Sequence, residues 1–383
     1  MRVTVNGLSL RPTPTGVGQY TRQLFSAMRA LATAPEITFF YGLGWSQAMA
    51  EARAPALDSA WRLGRGVPGV RALRRGVWQT RFGIGARRGG FDLYHEPNFF
   101  PFRTRLPTVI TVHDVSPLRL PQTHLGASVR YFRRQLPDAV RRAQAILVDS
   151  EFVRDELLDY FPAASDKLTT VLLGVDARFH PRTPDACASV LAQYGLTFGR
   201  YFLAVGTLEP RKNLIVAVRA YSRLPESLRT HMPLVIAGAK GWLNVELEQA
   251  LGQLASRDQV RVLGYVPQAS LPALHAGAAL FLYPSIYEGF GLPPLEAMAS
   301  GVPVIASNRA SLPEVVGNAG RLLEPADVDA WTQAMQALVE DRAQAAGLSE
   351  AGRVRAARFT WERCAHETLQ VYQCVLANEG RGG

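Results

Sequence analysis

Cysteine is scarce. Cys187, Cys364 and Cys374 are the three in 383 residues, and they show neither an even count nor metal-ligand spacing. That excludes a disulfide-stapled fold and a cysteine zinc site, and leaves reduced thiols with no assigned function. Lysine is equally rare: Lys167, Lys212 and Lys240 are the only ones, so nearly all of the 42 basic residues are arginine. No run approaches the ~20 apolar residues of a membrane-spanning helix. The opening Met1-Arg-Val-Thr-Val-Asn-Gly7 moves from a short apolar strand into a Pro/Gly-rich loop, without the apolar stretch and small-residue cleavage site of a secretion signal. The expectation is a cytoplasmic chain. Repeats and low-complexity blocks are missing as well. What remains, 48% hydrophobic and 19% charged residues, is a globular composition, and its length exceeds what one hydrophobic core usually organises.

The formal net charge of +10 is unevenly placed. Residues 1 to 185 hold 25 Lys+Arg against 15 Asp+Glu, whereas residues 186 to 383 hold 17 against 17. Arg53, Arg62, Arg65, Arg71, Arg74, Arg75, Arg81, Arg87 and Arg88 cluster in the first half, interleaved with Trp61, Leu73, Val77, Trp78 and Phe82. Such a mixture suits a segment lying on an anionic membrane surface or meeting a phosphate-bearing acceptor. A solvated arginine face is the plainer alternative.

Short β-branched or apolar runs alternate with helix-like stretches throughout, the mark of parallel sheets with crossover helices. Six runs fall in the first half: Arg2 to Asn6, Ile37 to Tyr41, Asp92 to His95, Thr108 to His113, Ala145 to Asp149 and Leu168 to Leu172. Six more follow: Tyr201 to Val205, Leu234 to Ala237, Val260 to Leu263, Ala279 to Tyr283, Pro303 to Ala306 and Arg321 to Leu323. Each half reads as a doubly wound α/β domain. The Gly- and Pro-containing stretch Gly174 to Pro184 breaks the periodicity between them, which sets the domains at 1–180 and 181–360. A helical closing segment, 361–383, would pack back on the first domain.

Four motifs carry chemistry. The stretch Glu288-Gly289-Phe290-Gly291-Leu292-Pro293-Pro294-Leu295-Glu296 joins a strand end to a helix start. There, free amides of Phe290, Gly291 and Leu292 and a positive dipole end favour a phosphate. Glu296, in the first turn, can accept hydrogen bonds from two adjacent sugar hydroxyls, and Glu288 can face a sugar. Alternatively, Glu296 caps the helix dipole and Glu288 is a solvated loop residue. The second motif, Val205-Gly206-Thr207-Leu208-Glu209-Pro210-Arg211-Lys212-Asn213, places two cations at another strand's carboxyl end, where they can neutralise a diphosphate. Thr15-Gly16-Val17-Gly18 opens a helix whose glycines let backbone approach a ligand, although Thr21 occupies the third-glycine position of a dinucleotide fingerprint. His113-Asp114 ends a strand facing the same side. Asp327-Val-Asp329 superficially offers a metal motif, yet it follows Pro325 and precedes an apolar helix, so it reads as a helix start.

These motifs, in this order and across nearly the whole chain, resemble the retaining glycosyltransferases of family 4, with the two-domain GT-B fold. The resemblance implies the following roles. Arg211 and Lys212 hold the donor diphosphate and Glu296 the ribose, with Gly206, Thr207 and Asn213 in the same motif. Glu288 and the amides of Phe290 to Leu292 contact donor sugar and phosphate, and His113 reaches the sugar from the first domain. Gly16, Val17 and Gly18 close over the phosphates, and the base sits near Gly264, Tyr265 and Val266. No metal or other cofactor is implied. His95, Glu96 and Asp114, with the arginine-aromatic segment, are the candidates for acceptor contact. Bacterial GDP-mannose-dependent mannosyltransferases of this family are the nearest likeness. The expected reaction is mannose transfer from GDP-mannose to a saccharide or polyprenyl-linked saccharide in cell-surface polysaccharide synthesis. A UDP-sugar (glucose, galactose or N-acetylhexosamine) or another GDP-sugar such as rhamnose remains open, and nucleic acid is not an expected partner.

Retention would ordinarily call for a carboxylate nucleophile, and Glu288 is the only obvious one near the donor sugar. The resemblance favours front-face substitution instead, with Glu288 positioning the sugar. A hydrolase using Glu288 and Glu296 as an acid/base pair, and a non-catalytic sugar- or nucleotide-binding module, are the rivals from other classes. A phosphorylase would need a further, cofactor-binding lysine, and none is available.

Overall fold

The computed structural model describes residues 1–10, 16–49, 70–241, 245–255 and 259–381. Seven strands form the first sheet: β1 (Arg2–Asn6), β2 (Glu36–Phe40), β3 (Trp45–Ser46), β4 (Leu93–Glu96), β5 (Thr108–Val112), β6 (Ala145–Val148) and β7 (Leu168–Thr170). Their order is β3-β2-β1-β4-β5-β6-β7. Six form the second: β8 (Phe202–Val205), β9 (Leu234–Ala237), β10 (Val260–Gly264), β11 (Leu280–Tyr283), β12 (Val304–Ser307) and β13 (Arg321–Leu323), ordered β10-β9-β8-β11-β12-β13. Every pairing is parallel except β2 with β3. These are two Rossmann-like α/β sheets.

The reason is visible in the strands. Residues 108–112 and 280–283 are buried at every position, as strands covered by helices on both faces must be. Side-chain caps start the helices that cover them: Ser150 accepts from the Val153 amide at 3.2 Å, and Asp327 from the Ala330 amide at 2.9 Å. The Asp327 cap, with Asp329 bound to Arg223, makes 327–329 a helix start.

Strand order reverses between β1 and β4 and again between β8 and β11. Loops diverge there, opening a crevice at the strands' carboxyl ends. Both crevices meet. After the second sheet the chain returns: Val175 donates to the Phe359 carbonyl at 3.0 Å, a Cβ at Gly174 would overlap the Trp361 amide, and helix Trp361–Arg381 packs on helix Gly16–Ala30.

One strand, Trp45–Ser46, has no counterpart among the sequence runs. Two residues cannot show a period, and the stacking of Trp45 on Phe82 at 5.4 Å supplies the stability that local pattern does not. Of the arginine-aromatic segment, Arg53, Trp61, Arg62 and Arg65 lie outside the described residues.

Candidate active site

At the switch point of the second sheet the two carboxyl-end loops are tied together. After β8, Gly206 takes φ +155° and the chain makes one turn, Pro210–Lys212, before Asn213 at φ +52°. After β11, residues 284–291 lead to helix Leu292–Ala299 through Gly291 at φ +113°. Arg211 donates to the Tyr287 carbonyl at 2.7 Å, and its own carbonyl accepts from Ile286 N at 2.9 Å and lies 3.0 Å from Ser285 Oγ. Asn213 donates to the carbonyls of Pro284 (3.1 Å) and Pro325 (2.9 Å). Asn213, a donor candidate by sequence, fastens the turn with its amide nitrogen. Ser311 Oγ contacts the carbonyls of Glu288 (2.9 Å) and Phe290 (2.7 Å).

The turn delivers Glu288 into a buried charge cluster. Lys212 Nζ lies 2.7 Å from Glu288 Oε1 and Arg211 Nη1 3.1 Å from Oε2, while Arg211 Nη2 is 2.7 Å from Glu209 Oε1. Ser285 Oγ also donates to Glu288 Oε1, and Lys212 Nζ to the Tyr283 hydroxyl at 2.9 Å. Burial alone would push the Glu288 carboxyl up, but Lys212 and Arg211 outweigh it and hold the group at about 2. The Lys212 ammonium is pulled down by burial, which Glu288 only partly offsets. Two cations and two carboxylates balance, so Glu209 and Glu288 act as counter-ions to groups suited to a diphosphate. First-turn amides of the following helix have no intrahelical partner, and Pro293 and Pro294 lack N–H groups, which leaves Phe290, Gly291 and Leu292 to present them.

The first domain closes on this turn. A Cβ at Gly289 would overlap the His113 carbonyl oxygen, so only glycine permits that approach. Ser150 Oγ donates to the Gly289 carbonyl at 2.7 Å. The Tyr287 hydroxyl accepts from Val115 N at 3.2 Å and donates to Glu156, and Glu314 accepts from the amides of Glu151 (3.1 Å) and Phe152 (3.4 Å).

His113 lies on this boundary, but its ring is occupied. Nδ1 is 2.7 Å from Asp149 Oδ2 and Nε2 2.9 Å from the Pro97 carbonyl. A carboxylate at Asp149 and the Pro97 carbonyl both accept, a pair of partners that a doubly protonated ring satisfies. Burial pulls its pKa down, yet Asp149 and the Pro97 carbonyl leave it raised overall. What His113 brings to the boundary is a ring fixed in orientation by Asp149 and the Pro97 carbonyl. Asp114 is likewise engaged, accepting from Ser116 N at 2.9 Å and Ser116 Oγ at 2.7 Å.

Two acceptor candidates must be corrected. His95 is fully buried, with Nδ1 on the Tyr372 hydroxyl and Nε2 on Thr111 Oγ1 at 2.9 Å; burial pulls it down to about 3. Glu96 is buried too, accepting at 2.7 Å from both Asn6 and Tyr94, and burial pushes it up to about 7. His95 ties the closing helix to the first sheet, Glu96 joins β1 to β4 within that sheet, and neither presents anything to solvent.

Glu296 stands on the second turn of helix Leu292–Ala299 with its side chain 15% exposed, and burial together with Asp176 pushes its carboxyl up to about 8 against the pull of Arg178. Gln19 and Gln23, on the helix that Gly16, Val17 and Gly18 begin, reach the same Asp176. Gly206 and Thr207 lie in the β8 loop, where a Cβ on Gly238 would overlap the Gly206 carbonyl. Tyr265 is exposed, whereas the Val266 side chain belongs to the core and can offer only backbone. Sequence reading missed Ser285, Ser311, Tyr287, Asp149 and Asp176. Among the described residues no cluster of His, Cys, Asp or Glu could hold a metal ion.

This arrangement can bind a diphosphate against Arg211, Lys212 and a helix start, and hold a sugar against an ionised carboxylate where two domains meet. Comparisons with known proteins point the same way. The family model described as Glycosyltransferase Family 4 matches residues 14–179, and that described as Glycosyl transferases group 1 matches residues 197–355. O-antigen chain mannosyltransferase B of Escherichia coli is 35% identical over 368 residues, covering 94% of this chain and 96% of that one. A serotype-specific mannosyltransferase of the same organism, WbdA, is 32% identical over 70% of this chain; the match spans 34% of that larger protein. Among solved structures, sucrose-phosphate synthase from Thermosynechococcus elongatus superposes with a TM-score of 0.74 at 20% identity, covering 99% of this chain and 100% of that one. That likeness establishes the GT-B fold.

Proposed function

Since the chain belongs to glycosyltransferase family 4, and is therefore an enzyme that moves a glycosyl group, we propose that it transfers mannose from GDP-mannose. The acceptor is a saccharide or polyprenyl-linked saccharide in bacterial cell-surface polysaccharide synthesis, and the anomeric configuration is retained without a metal. The observation that carries the reading is Glu288 held between Arg211 and Lys212 at the second sheet's switch point. The mannosyl donor and the surface-polysaccharide acceptor rest on the E. coli relative's activity.

In this reading Arg211 and Lys212 exchange part of their contact with Glu209 and Glu288 for the diphosphate, aided by the amides of Phe290 to Leu292. Glu296 accepts hydrogen bonds from the ribose. The bond from C1 to the β-phosphate oxygen breaks as the acceptor oxygen bonds C1 on the same face. The acceptor's hydroxyl proton passes to the departing β-phosphate, giving an α-mannoside and GDP. Charge gathering on that phosphate is stabilised by cations already aimed at it, which costs no reorganisation. Glu288 is ionised at neutral pH, so it steadies positive charge at C1. Its oxygens already accept from Lys212, Arg211 and Ser285, which blunts it as a nucleophile and favours a positioning role.

A peripheral seat on the inner face of the cytoplasmic membrane belongs to the same proposal. Helix Val70–Arg88 exposes Leu73, Val77 and Ile84, and helix Gly126–Arg142 exposes Tyr131 beside Arg130, Arg133 and Arg134. Apolar side chains among arginines are what an anionic headgroup layer binds. Arg75, by contrast, donates to the Phe100 carbonyl, and Arg74 stacks on Trp78. No helix among the described residues is long and apolar enough to cross a membrane.

Thermal-shift titration with GDP, UDP and ADP tests the donor. A ligand at about 100 times its Kd adds about 2.7 kcal/mol to the native state, so GDP should raise Tm clearly above the others. Stabilisation by UDP alone would sink the GDP-mannose reading.

A further inference from the structure

One buried histidine takes no part in the transfer step. His275, on helix Leu271–Ala276, stacks on Phe281 (centroids 5.3 Å apart, 24° between planes) and meets Phe179 edge-on (5.1 Å, 84°). Its Nδ1 is 3.0 Å from the Leu271 carbonyl oxygen. A carbonyl only accepts, so Nδ1 carries the ring proton and Nε2 of the neutral ring is left with a bare lone pair. Burial pulls the ring down to about 4, so it is neutral at physiological pH. Nε2 is sealed from solvent with no hydrogen-bond partner among the described residues, and Glu296 Oε2 stands 3.9 Å away.

An unmet buried acceptor is costly, about 1–3 kcal/mol, and Glu296 can relieve it. With its carboxyl at about 8, Glu296 keeps its proton at neutral pH. Carboxyl and lone pair lie roughly an ångström beyond hydrogen-bond length. The charged groups facing Glu296 are Asp176 and Arg178 on the connecting segment. Helix Gly16–Ala30 brings uncharged Gln19 and Gln23 to Asp176.

We propose that His275 is a positioning residue: in the nucleotide-free enzyme its Nε2 accepts a hydrogen bond from protonated Glu296. It loses that bond when ribose hydroxyls arrive and the carboxyl gives its proton to solvent. The inference rests on the ribose role of Glu296 proposed above. Its consequence is that donor binding releases a proton, so affinity rises with pH through about 8 and flattens once the free carboxyl is ionised, because only the protonated form must give up its proton.

Calorimetric titration of the full chain with GDP at pH 8.5, in buffers of different ionisation enthalpy, counts the protons released. With 2′,3′-dideoxy-GDP as the reference for the diphosphate's own titration, a carboxyl that burial and Asp176 put at about 8, and that the His275 bond raises by about one pH unit more, should release about 0.75 proton. His275→Leu removes the acceptor that stabilises the protonated carboxyl, so the midpoint falls by about one pH unit and the release to about 0.25 proton. His275→Gln, whose side-chain oxygen can reach the position of Nε2, should restore the wild-type count. Should the leucine variant fail to fold, His275→Asn, whose carbonyl falls short of that position, takes its place. Equal release from wild type and the acceptor-lacking variant, or a glutamine variant that behaves like that variant, overturns the inference. The ribose reading fails separately: it is lost if Glu296→Gln leaves GDP affinity unchanged and dideoxy-GDP binds as tightly as GDP.

Discussion

Glu288→Gln removes one charge from the centre of the cluster and keeps the shape. The carboxyl drops from 4.5 to about 2 on folding. At about 1.4 kcal/mol per pH unit that is about 3 kcal/mol of native-state stability at neutral pH. The amide still accepts from Lys212 or Ser285, so the expected loss is about 2–3 kcal/mol, or roughly 4–12 °C in the Tm of a domain of this size. The sign with pH follows from the depressed value: the stabilisation is complete above about 4.5 and vanishes as pH falls towards 2, so wild-type and variant Tm values should converge in that window. Activity should split. With Arg211 and Lys212 relieved of a counter-ion, GDP should bind at least as tightly as to wild type. Without negative charge beside C1, kcat should fall about 100-fold, the scale of one lost electrostatic contact to a transition state. Differential scanning calorimetry between pH 3 and 8 and a GDP-release assay read both. A variant that keeps kcat within about threefold and melts with wild type would refute the charge assignment.

Gly289→Ala should lower kcat by at least about 100-fold with little change in Tm, because the new Cβ overlaps the His113 carbonyl and blocks domain approach rather than either core; unimpaired turnover would contradict closure. Tyr287→Phe strips the partner from the Val115 amide and Glu156 and should cost about 1–2 kcal/mol, read as a Tm drop of a few degrees with about tenfold lower kcat/KM. Replacing Arg130, Arg133 and Arg134 by alanine should abolish flotation with anionic liposomes while leaving turnover of a soluble acceptor intact; unchanged flotation would defeat the membrane reading.

Sequence exposed the strands well because buried parallel strands are unbroken β-branched or apolar runs, as in Thr108–Val112. It exposed Arg211, Lys212 and Glu288 because cations and a carboxylate after strand ends are unusual enough to stand out. It misled at His95 and Glu96, which also end a strand. What separates them from His113 is cover from distant chain: the closing helix brings Tyr372 to His95 from 277 positions away and β1 brings Asn6 to Glu96, and no local pattern carries that information. Ser285 and Ser311 were illegible for a simpler reason: serine is common in loops, and only the fold aims their hydroxyls at the carbonyls and carboxylate of the turn that carries Glu288. Asn213 was noticed for its place in a motif, but its left-handed backbone and its reach to Pro325 are properties of two loops brought together.

The central claim is that Arg211, Lys212 and Glu288 carry out retaining mannosyl transfer where the two domains meet. Its most direct test is NMR of the first turnovers of GDP-mannose with a mannose-terminated acceptor in EDTA, with Lys212→Ala alongside. The account predicts an α-mannoside and GDP in equal amounts from the wild type, with turnover lost in the folded variant. A β-linked product, free mannose as the main product, or full activity without Lys212 would contradict it.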